Sequence, residues 1–145
     1  MATRIIRTTD DRANLIRLLE ARELPFTVSV AKGASKSHEQ DRLENMWHRE
    51  AADQLQDETA EEKRAYSKLH FGVPILRSEN DVFREQYDRV LKPHAYEDKL
   101  RMMAAPIDFP ITRLMTSKQK SSYLDALYQH YRGQGVQVTE PGGEL

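Results

Sequence analysis

The feature that most limits how this chain can fold is an amphipathic pattern in the helix predicted to begin at Ser37. Leu43, Trp47 and Ala51 follow one another at steps of four residues, which predicts a helix with one buried face. Gln40 lies on the same stripe, and a buried amide needs hydrogen-bond partners. We therefore expect the rest of the chain to cover this face, with Trp47 in the core and Gln40 tying the preceding loop or a neighbouring strand in place.

A second stripe, polar and basic, runs along another face of this predicted helix. Its members are His38, Arg42, Asn45 and Arg49. The preceding loop adds Lys32 and Lys36, and cations near the exposed N–H groups of a helix start can bind phosphate. The competing interpretation is a solvated face on which each arginine pairs with an acid one turn away, Glu39 or Asp53. Taken alone, the stripe favours the solvated face.

The composition limits the possible classes of protein. The 145 residues suit one domain, predicted over residues 1–138, with a flexible tail over 139–145. The chain has no cysteine, its apolar runs are short and its first residues lack the pattern of a signal peptide, which together predict a cytoplasmic protein. Its net charge is −1, so binding to nucleic acid requires a local cationic surface.

Four short segments have the composition of β-strands. They are residues 4–8, 26–30, 109–115 and 136–138. The first two flank a helix predicted to start at Thr9 and to stop before Pro25, which predicts a small βαβ-like unit. The predicted fold class is therefore α+β, with a small βαβ-like sheet, a helix-rich middle and a C-terminal strand–helix unit.

The middle and the end of the chain show helix starts and stops. Thr59 is predicted to cap a helix that Gly72 interrupts, and Ser78 is predicted to begin another. Thr116 and Gln119 have the spacing of a capping box at the start of the last helix. We expect these helices to supply most of the core.

Two further cationic patches are candidates for contact with an anion. Arg113, Lys118 and Lys120 lie at the end of a predicted strand and in the first turn of the last helix, where lysine opposes the helix dipole. The other patch interleaves basic and aromatic side chains: Lys63, Arg64, Tyr66, Lys68 and Phe71. Both patterns are also typical of an ordinary solvated surface.

No catalytic motif is present in the sequence. It contains no HExxH, Walker A, G-x-G-x-x-G or G-x-S-x-G pattern. Glu44 and His48 share a helix face and, with Asp41, are the residues that a metal-dependent nuclease would use. Because such i, i+4 pairs arise often by chance, the sequence gives no positive case for an enzyme, a metal or a cofactor.

Several short motifs resemble the NinB family of phage recombination proteins, also called Orf. The segment Ser37-His38-Glu39-Gln40-Asp41-Arg42 resembles the Ser-x-Asp-Gln-Asn-Arg signature of that family. The segment Lys68-Leu69-His70-Phe71 resembles its Lys-x-x-Phe motif. Further matches follow towards the C-terminus: Arg113-Leu114-Met115, Ser117, Tyr123-Leu124 and Gly135-Val136.

The resemblance implies a function in phage recombination in the bacterial host. It implies a ring-like homodimer that binds single-stranded DNA without strong sequence preference, contacts the single-strand-binding protein and helps to load a recombinase. It implies no catalytic activity. We expect the contacts with DNA to come from Lys32, Lys36, Arg42, Arg49, Arg113, Lys118 and Lys120. The alternatives are a metal-dependent nuclease and a protein-interaction module that does not bind DNA.

Overall fold

The computed structural model describes residues 4–30 and 36–141, without the side chains of residues 36–38. The chain divides into two compact units, residues 1–38 and residues 39–145. The α-helices are α1 (Thr9–Ala21), α2 (Lys36–Leu55), α3 (Ala60–Ser67), α4 (Val73–Glu79), α5 (Asp81–Val90), α6 (Tyr96–Met103) and α7 (Ser117–Gly133). A π-helical turn, Lys68–Gly72, joins α3 to α4, and a 3₁₀ turn, Thr112–Leu114, precedes α7.

The predicted α+β fold is wrong, because the described residues contain no strand. Residues 4–7 and 26–30 are irregular, and the 3₁₀ turn occupies the middle of the predicted strand 109–115. A strand needs a neighbour that completes its backbone hydrogen bonds. An alternating pattern such as that of residues 26–30 shows that a segment can be extended, but it does not supply that neighbour.

The segment after α7 shows how a predicted strand is satisfied without a sheet. Val136 and Val138 are buried, as the alternating pattern predicts. Side chains of α2 replace the partner strand, since the Gln54 amide bonds both the N–H and the carbonyl of Gln137, at 2.8 and 2.7 Å. The predicted last strand is therefore an irregular segment that packs on a helix.

The same helix holds the next residue of this segment. The Trp47 indole N–H donates to the carbonyl oxygen of Thr139 at 2.6 Å. The backbone N–H and the hydroxyl of Thr139 donate to the Glu50 carboxylate at 3.0 and 2.9 Å. Thr139, the first residue of the predicted tail, is thus fixed to α2, while residues 142–145 lie outside the described part of the chain.

The first unit contains α1. Thr8 caps this helix in a capping box with Asp11, one residue before the predicted cap at Thr9. None of the residues of α1 is buried, and Ile16 is 49% exposed.

In the described residues, no helix is long and apolar enough to cross a bilayer.

The second unit buries the predicted face of α2. Trp47 and Ala51 are 1% and 0% exposed, and Gln40 is 7% exposed, so the predicted core stripe is confirmed. The Gln40 amide nitrogen donates to the Ser121 hydroxyl at 2.9 Å and lies 3.4 Å from the Ser117 carbonyl oxygen. Gln40 therefore has the predicted structural role, but it ties α2 to the start of helix α7 and not to a loop or a strand.

In the second unit, two predicted helix starts, at Thr59 and Thr116, are confirmed, and the one at Ser78 is misplaced. Thr59 and Thr116 each form a complete capping box, with Glu62 and Gln119 respectively. Ser78, by contrast, lies inside α4, and α5 begins at Asp81 with Asn80 as its cap. An asparagine oxygen that accepts from the N–H of the third helical residue competes well for a helix start.

Gly72 does not end the helix that Thr59 caps, but it marks the place where the helix changes geometry. It closes the π-helical turn, and the chain continues directly into α4. A Cβ at this position would lie 2.5 Å from Cγ2 of Ile111. The glycine therefore lets the chain before α7 pack directly against the helix backbone.

Candidate functional site

The inner side of α2 carries a buried network of charged and polar groups. Glu44 and His48 are 5% and 2% exposed. Glu44 Oε1 accepts from Lys120 Nζ at 2.6 Å, and Oε2 accepts from the Tyr123 hydroxyl at 2.9 Å. His48 Nε2 lies 3.0 Å from Glu44 Oε2, and its Nδ1 lies 2.7 Å from the Tyr131 hydroxyl. Three of these contacts join α2 to α7, and the fourth, between Glu44 and His48, lies within α2.

Burial and pairing have opposite effects on the ionisation of this network. Burial raises the pKa of Glu44, but hydrogen bonds and charge from His48 and Lys120 outweigh it and lower the pKa to about 2. Burial, followed by the negative charge of Glu44, raises the pKa of Tyr123 well above its usual value. Glu44 is therefore a carboxylate and Tyr123 a neutral donor at neutral pH.

The network uses the groups that the nuclease alternative requires. The carboxylate of Glu44 accepts from three side chains, and both ring nitrogens of His48 have partners. Asp41 is exposed, and its Oδ1 lies 3.1 Å from Lys120 Nζ. Within the described ranges, no group of three or more acidic or histidine side chains is placed to hold a metal ion. The arrangement is suited to joining helices.

Lys120 was predicted to contact DNA, and the structure places it in the core. It is 3% exposed, and its ammonium group is bound by Glu44 and Asp41. This position also explains a lysine in the first turn of a helix, because the paired carboxylates offset the unfavourable dipole. Lys120 thus presents no free charge to a phosphate.

The outer side of α2 carries the predicted cationic stripe. Arg42, Asn45 and Arg49 are exposed. With about 3.6 residues per turn, Arg42 and Arg49 lie on the side of the helix opposite to Gln40. Neither arginine makes an ion pair with a described residue, so the pairs with Glu39 and Asp53 that a solvated face would form are not seen. Their guanidinium groups are open to solvent.

The other residues that were predicted to contact DNA do not belong to the outer stripe of α2. Arg113 and Lys118 are exposed, in the 3₁₀ turn and in the first turn of α7. Since α7 packs against the inner side of α2, they are not grouped with the outer stripe. Lys36 begins α2, although its side chain is not described, and Lys32 lies outside the described residues. Within the described chain, the predicted cations therefore form separate groups.

The patch predicted around Tyr66 is largely neutralised by ion pairs. Lys68 is 2% exposed and donates to the Met103 carbonyl at 2.7 Å and to Asp108 at 2.6 Å. Arg64 also bonds Asp108, at 2.9 Å. The two cations lower the pKa of Asp108, with the hydrogen bond from Lys68 as the largest cause. These basic residues connect α3 and the π-helical turn to the chain after α6.

The aromatic side chains of the same region form a cluster at the surface. The Tyr66 ring stacks on His70 with the centroids 4.0 Å apart, and it is nearly parallel to the His130 ring at 5.6 Å. His70 Nε2 is 2.8 Å from the hydroxyl of Tyr96, which is 44% exposed. This cluster was not predicted from the sequence. Its only local signal is the i, i+4 spacing of Tyr66 and His70, because His130 comes from α7.

A shallow pocket adjoins this cluster. It is lined by Glu58, Lys63, Tyr66, His130, Tyr131 and Gln134. Lys63 and Tyr131 are buried, at 4% and 2% exposed, whereas Glu58 and Gln134 lie at the surface. Lys63 Nζ is 2.8 Å from Asp57 and 3.7 Å from Glu58. The pocket therefore has an aromatic wall and charged groups of both signs.

The chain matches no protein-family model, no curated protein and no solved structure. Two of the segments that resemble the NinB family are in contact, since the Gln40 amide nitrogen lies 3.4 Å from the Ser117 carbonyl oxygen. The resembling residues divide between the core and the surface: Gln40, Lys68, Leu69, Tyr123, Leu124 and Val136 are buried, whereas Glu39, Asp41, Arg42, His70, Arg113, Leu114, Ser117 and Gly135 are exposed.

Proposed function

We propose that the chain binds single-stranded DNA without strong sequence preference and without catalysing a reaction on it. The observation that carries this proposal is the outer stripe of α2, where Arg42 and Arg49 are exposed and without an ion pair among the described residues. Guanidinium groups bind phosphate through several hydrogen bonds. The two arginines are two helical turns apart, so they would engage different phosphates, with the Asn45 amide as a further donor between them.

The local charge explains how a nearly neutral protein could bind DNA. The basic residues Lys63, Lys68 and Lys120 are buried and paired with acids, so they add little to the surface field. Arg42 and Arg49 keep their charge available on one helix face. Phosphate contact is a local electrostatic effect, and it does not require a basic chain as a whole.

The biological setting is part of the proposal and rests on the resemblance to the NinB family. In that setting the chain acts as a homodimer in phage recombination in the bacterial cytoplasm, together with single-strand-binding protein and a recombinase. A dimer would bring together the stripes of two α2 helices or link a stripe to Arg113 and Lys118. The support for this setting comes from the sequence motifs alone. The fold adds none, because the described residues form no sheet.

The test compares two charge-reversed variants for affinity to a fluorescent single-stranded oligonucleotide. Arg42→Glu with Arg49→Glu removes the stripe, whereas Arg89→Glu with Arg101→Glu makes the same change in charge at exposed positions of α5 and α6. We expect the first variant to lose affinity by about a hundredfold and the second by less than threefold. Equal losses in both variants, or no binding by the wild type at low salt, would overturn the proposal.

The nuclease alternative is tested on the same DNA. End-labelled oligonucleotide is incubated with the protein and Mg²⁺ or Mn²⁺ and then analysed on a denaturing gel. Because the network already uses Glu44 and His48, we expect the DNA to stay intact. Cleavage that is lost on Glu44→Gln would show an enzyme instead.

A further inference from the structure

The pocket beside Tyr66 has the size of a single small ring. Its volume is about 140 Å³, whereas pockets for drug-sized ligands measure roughly 300–1,000 Å³. An engineered cavity of about 150 Å³ holds benzene. The nearly parallel rings of Tyr66 and His130 give it an aromatic wall, on which a planar ring can stack. The volume and the aromatic wall are therefore compatible with one planar six-membered ring.

The polar groups of the pocket include both hydrogen-bond donors and acceptors. Glu58 supplies a carboxylate, which only accepts, and Lys63 supplies an ammonium group with three N–H donors. One of these donors is used by Asp57, and Glu58 at 3.7 Å is beyond hydrogen-bond distance. Asp57 is the one hydrogen-bond partner of Lys63 Nζ among the described residues, so the other two N–H groups are available to a ligand, and Nζ lies 3.7 Å from its ion-pair partner Glu58 Oε1.

His130 adds an unused polar group to the same wall. Neither of its ring nitrogens makes a hydrogen bond with a described residue. Burial, followed by the charge of Lys63, lowers the pKa of His130, so the ring is mainly neutral at neutral pH. A neutral imidazole both donates and accepts. It can therefore pair with the edge of a ligand that stacks beside it.

We propose that this pocket binds one cytosine base of the single-stranded DNA that the chain is proposed to bind. Cytosine carries an amino donor next to ring acceptors, so its N4 amino group would donate to Glu58 while an acceptor takes the free Lys63 N–H. Thymine has an oxygen in place of that amino group and would face the carboxylate with a second acceptor. The inference rests on the proposed function and adds a base preference to it.

The test compares oligomers of deoxycytidine and of thymidine with the full chain at pH about 7.5. We expect the cytidine oligomer to bind about tenfold more tightly, since the hydrogen bond that separates the bases has a charged acceptor. Glu58→Gln should remove the difference, because an amide can turn to serve either base. The control Glu85→Gln, at an exposed position of α5, should keep it. Equal affinity in the wild type, or a preference that survives Glu58→Gln, would overturn the inference.

A second measurement separates this inference from the proposed function. Arg42→Glu with Arg49→Glu should weaken both oligomers equally and leave their ratio unchanged. If neither oligomer binds the wild type, the proposed function fails, and free deoxycytidine and thymidine are then titrated with NMR detection of the Tyr66 and His130 rings. Shifts with deoxycytidine alone would support the pocket, whereas no shifts, or equal shifts with both nucleosides, would overturn it.

Discussion

On the inner side of α2, Glu44 and His48 are buried, and hydrogen bonds from α7 satisfy them. On the outer side, Arg42 and Arg49 are exposed and make no ion pair with a described residue. Both sides belong to one helix, and both carry charge. They differ in whether that charge is already paired within the fold.

This difference separates structural charge from charge that is available to a ligand. A buried carboxylate with three donors cannot accept another partner without leaving one of its own unpaired, at a cost of several kcal/mol. An exposed arginine binds a phosphate without that loss. We therefore assign the inner side of α2 to stability and its outer side to the proposed contact with DNA.

The largest expected effect is on the inner side. Glu44→Ala removes the acceptor of Lys120 and leaves an ammonium group in the core with only exposed Asp41 beside it. We expect the free energy of unfolding to fall by about 3–5 kcal/mol, as measured by urea denaturation. The control Glu85→Ala, at an exposed position, should change it by less than about 0.5 kcal/mol. A loss below about 1 kcal/mol for Glu44→Ala would contradict the assignment.

Acid should reduce the contribution of the Glu44 carboxylate to the free energy of unfolding. The pKa of Glu44 is lowered from 4.5 to about 2 by folding, so its stabilisation is fully present above pH about 5 and is lost as the pH falls towards 2. Wild type is compared with Glu44→Gln, which has no charge to lose. The difference between their unfolding free energies should shrink by on the order of 3 kcal/mol over this range. A constant difference would contradict the paired-carboxylate account.

A smaller change in stability is expected when one of two glycines is replaced by alanine, and the pair compares an interior position with a surface position. Gly72→Ala places a methyl group 2.5 Å from Cγ2 of Ile111 and should destabilise the protein by about 1–3 kcal/mol. Gly133→Ala, at the end of α7, meets nothing within 4 Å and should be neutral or stabilising by up to about 1 kcal/mol. Thermal unfolding of both variants measures the difference, and equal effects would show that the contact at Gly72 yields easily.

The smallest expected effect on stability is on the outer side. Arg42→Ala with Arg49→Ala breaks no ion pair with a described residue, so the free energy of unfolding should stay within about 0.5 kcal/mol of the wild type. The affinity for single-stranded DNA should fall in the same samples. A large loss of stability would show that the stripe belongs to the fold.

The sequence predicted those elements that depend on nearby residues. The spacing of Gln40, Trp47 and Ala51 marked the buried face of α2, and the predicted helix cap at Thr59 and capping box at Thr116 are confirmed. In each case the pattern and its cause lie within a few turns of one helix. Such features can be read without knowing the rest of the fold.

Features that depend on distant residues could not be read in the same way. The predicted strands failed because alternation cannot tell whether a neighbouring strand exists, and for Gln137 the partner is the side chain of Gln54, 83 residues away. The i, i+4 pairing of Glu44 with His48 was visible, but Lys120 is 76 residues from Glu44. Because this distant partner is not visible in the local sequence, Lys120 was predicted to contact DNA, although it is buried.

The most direct test of the division between the two sides of α2 is the salt dependence of binding to single-stranded DNA. Each phosphate contact adds about 0.7 to the slope of log affinity against log salt concentration. If Arg42 and Arg49 each contact one phosphate, the slope for Arg42→Ala with Arg49→Ala should be smaller than that of the wild type by about 1.4. Identical slopes for a folded double variant and the wild type would contradict the account.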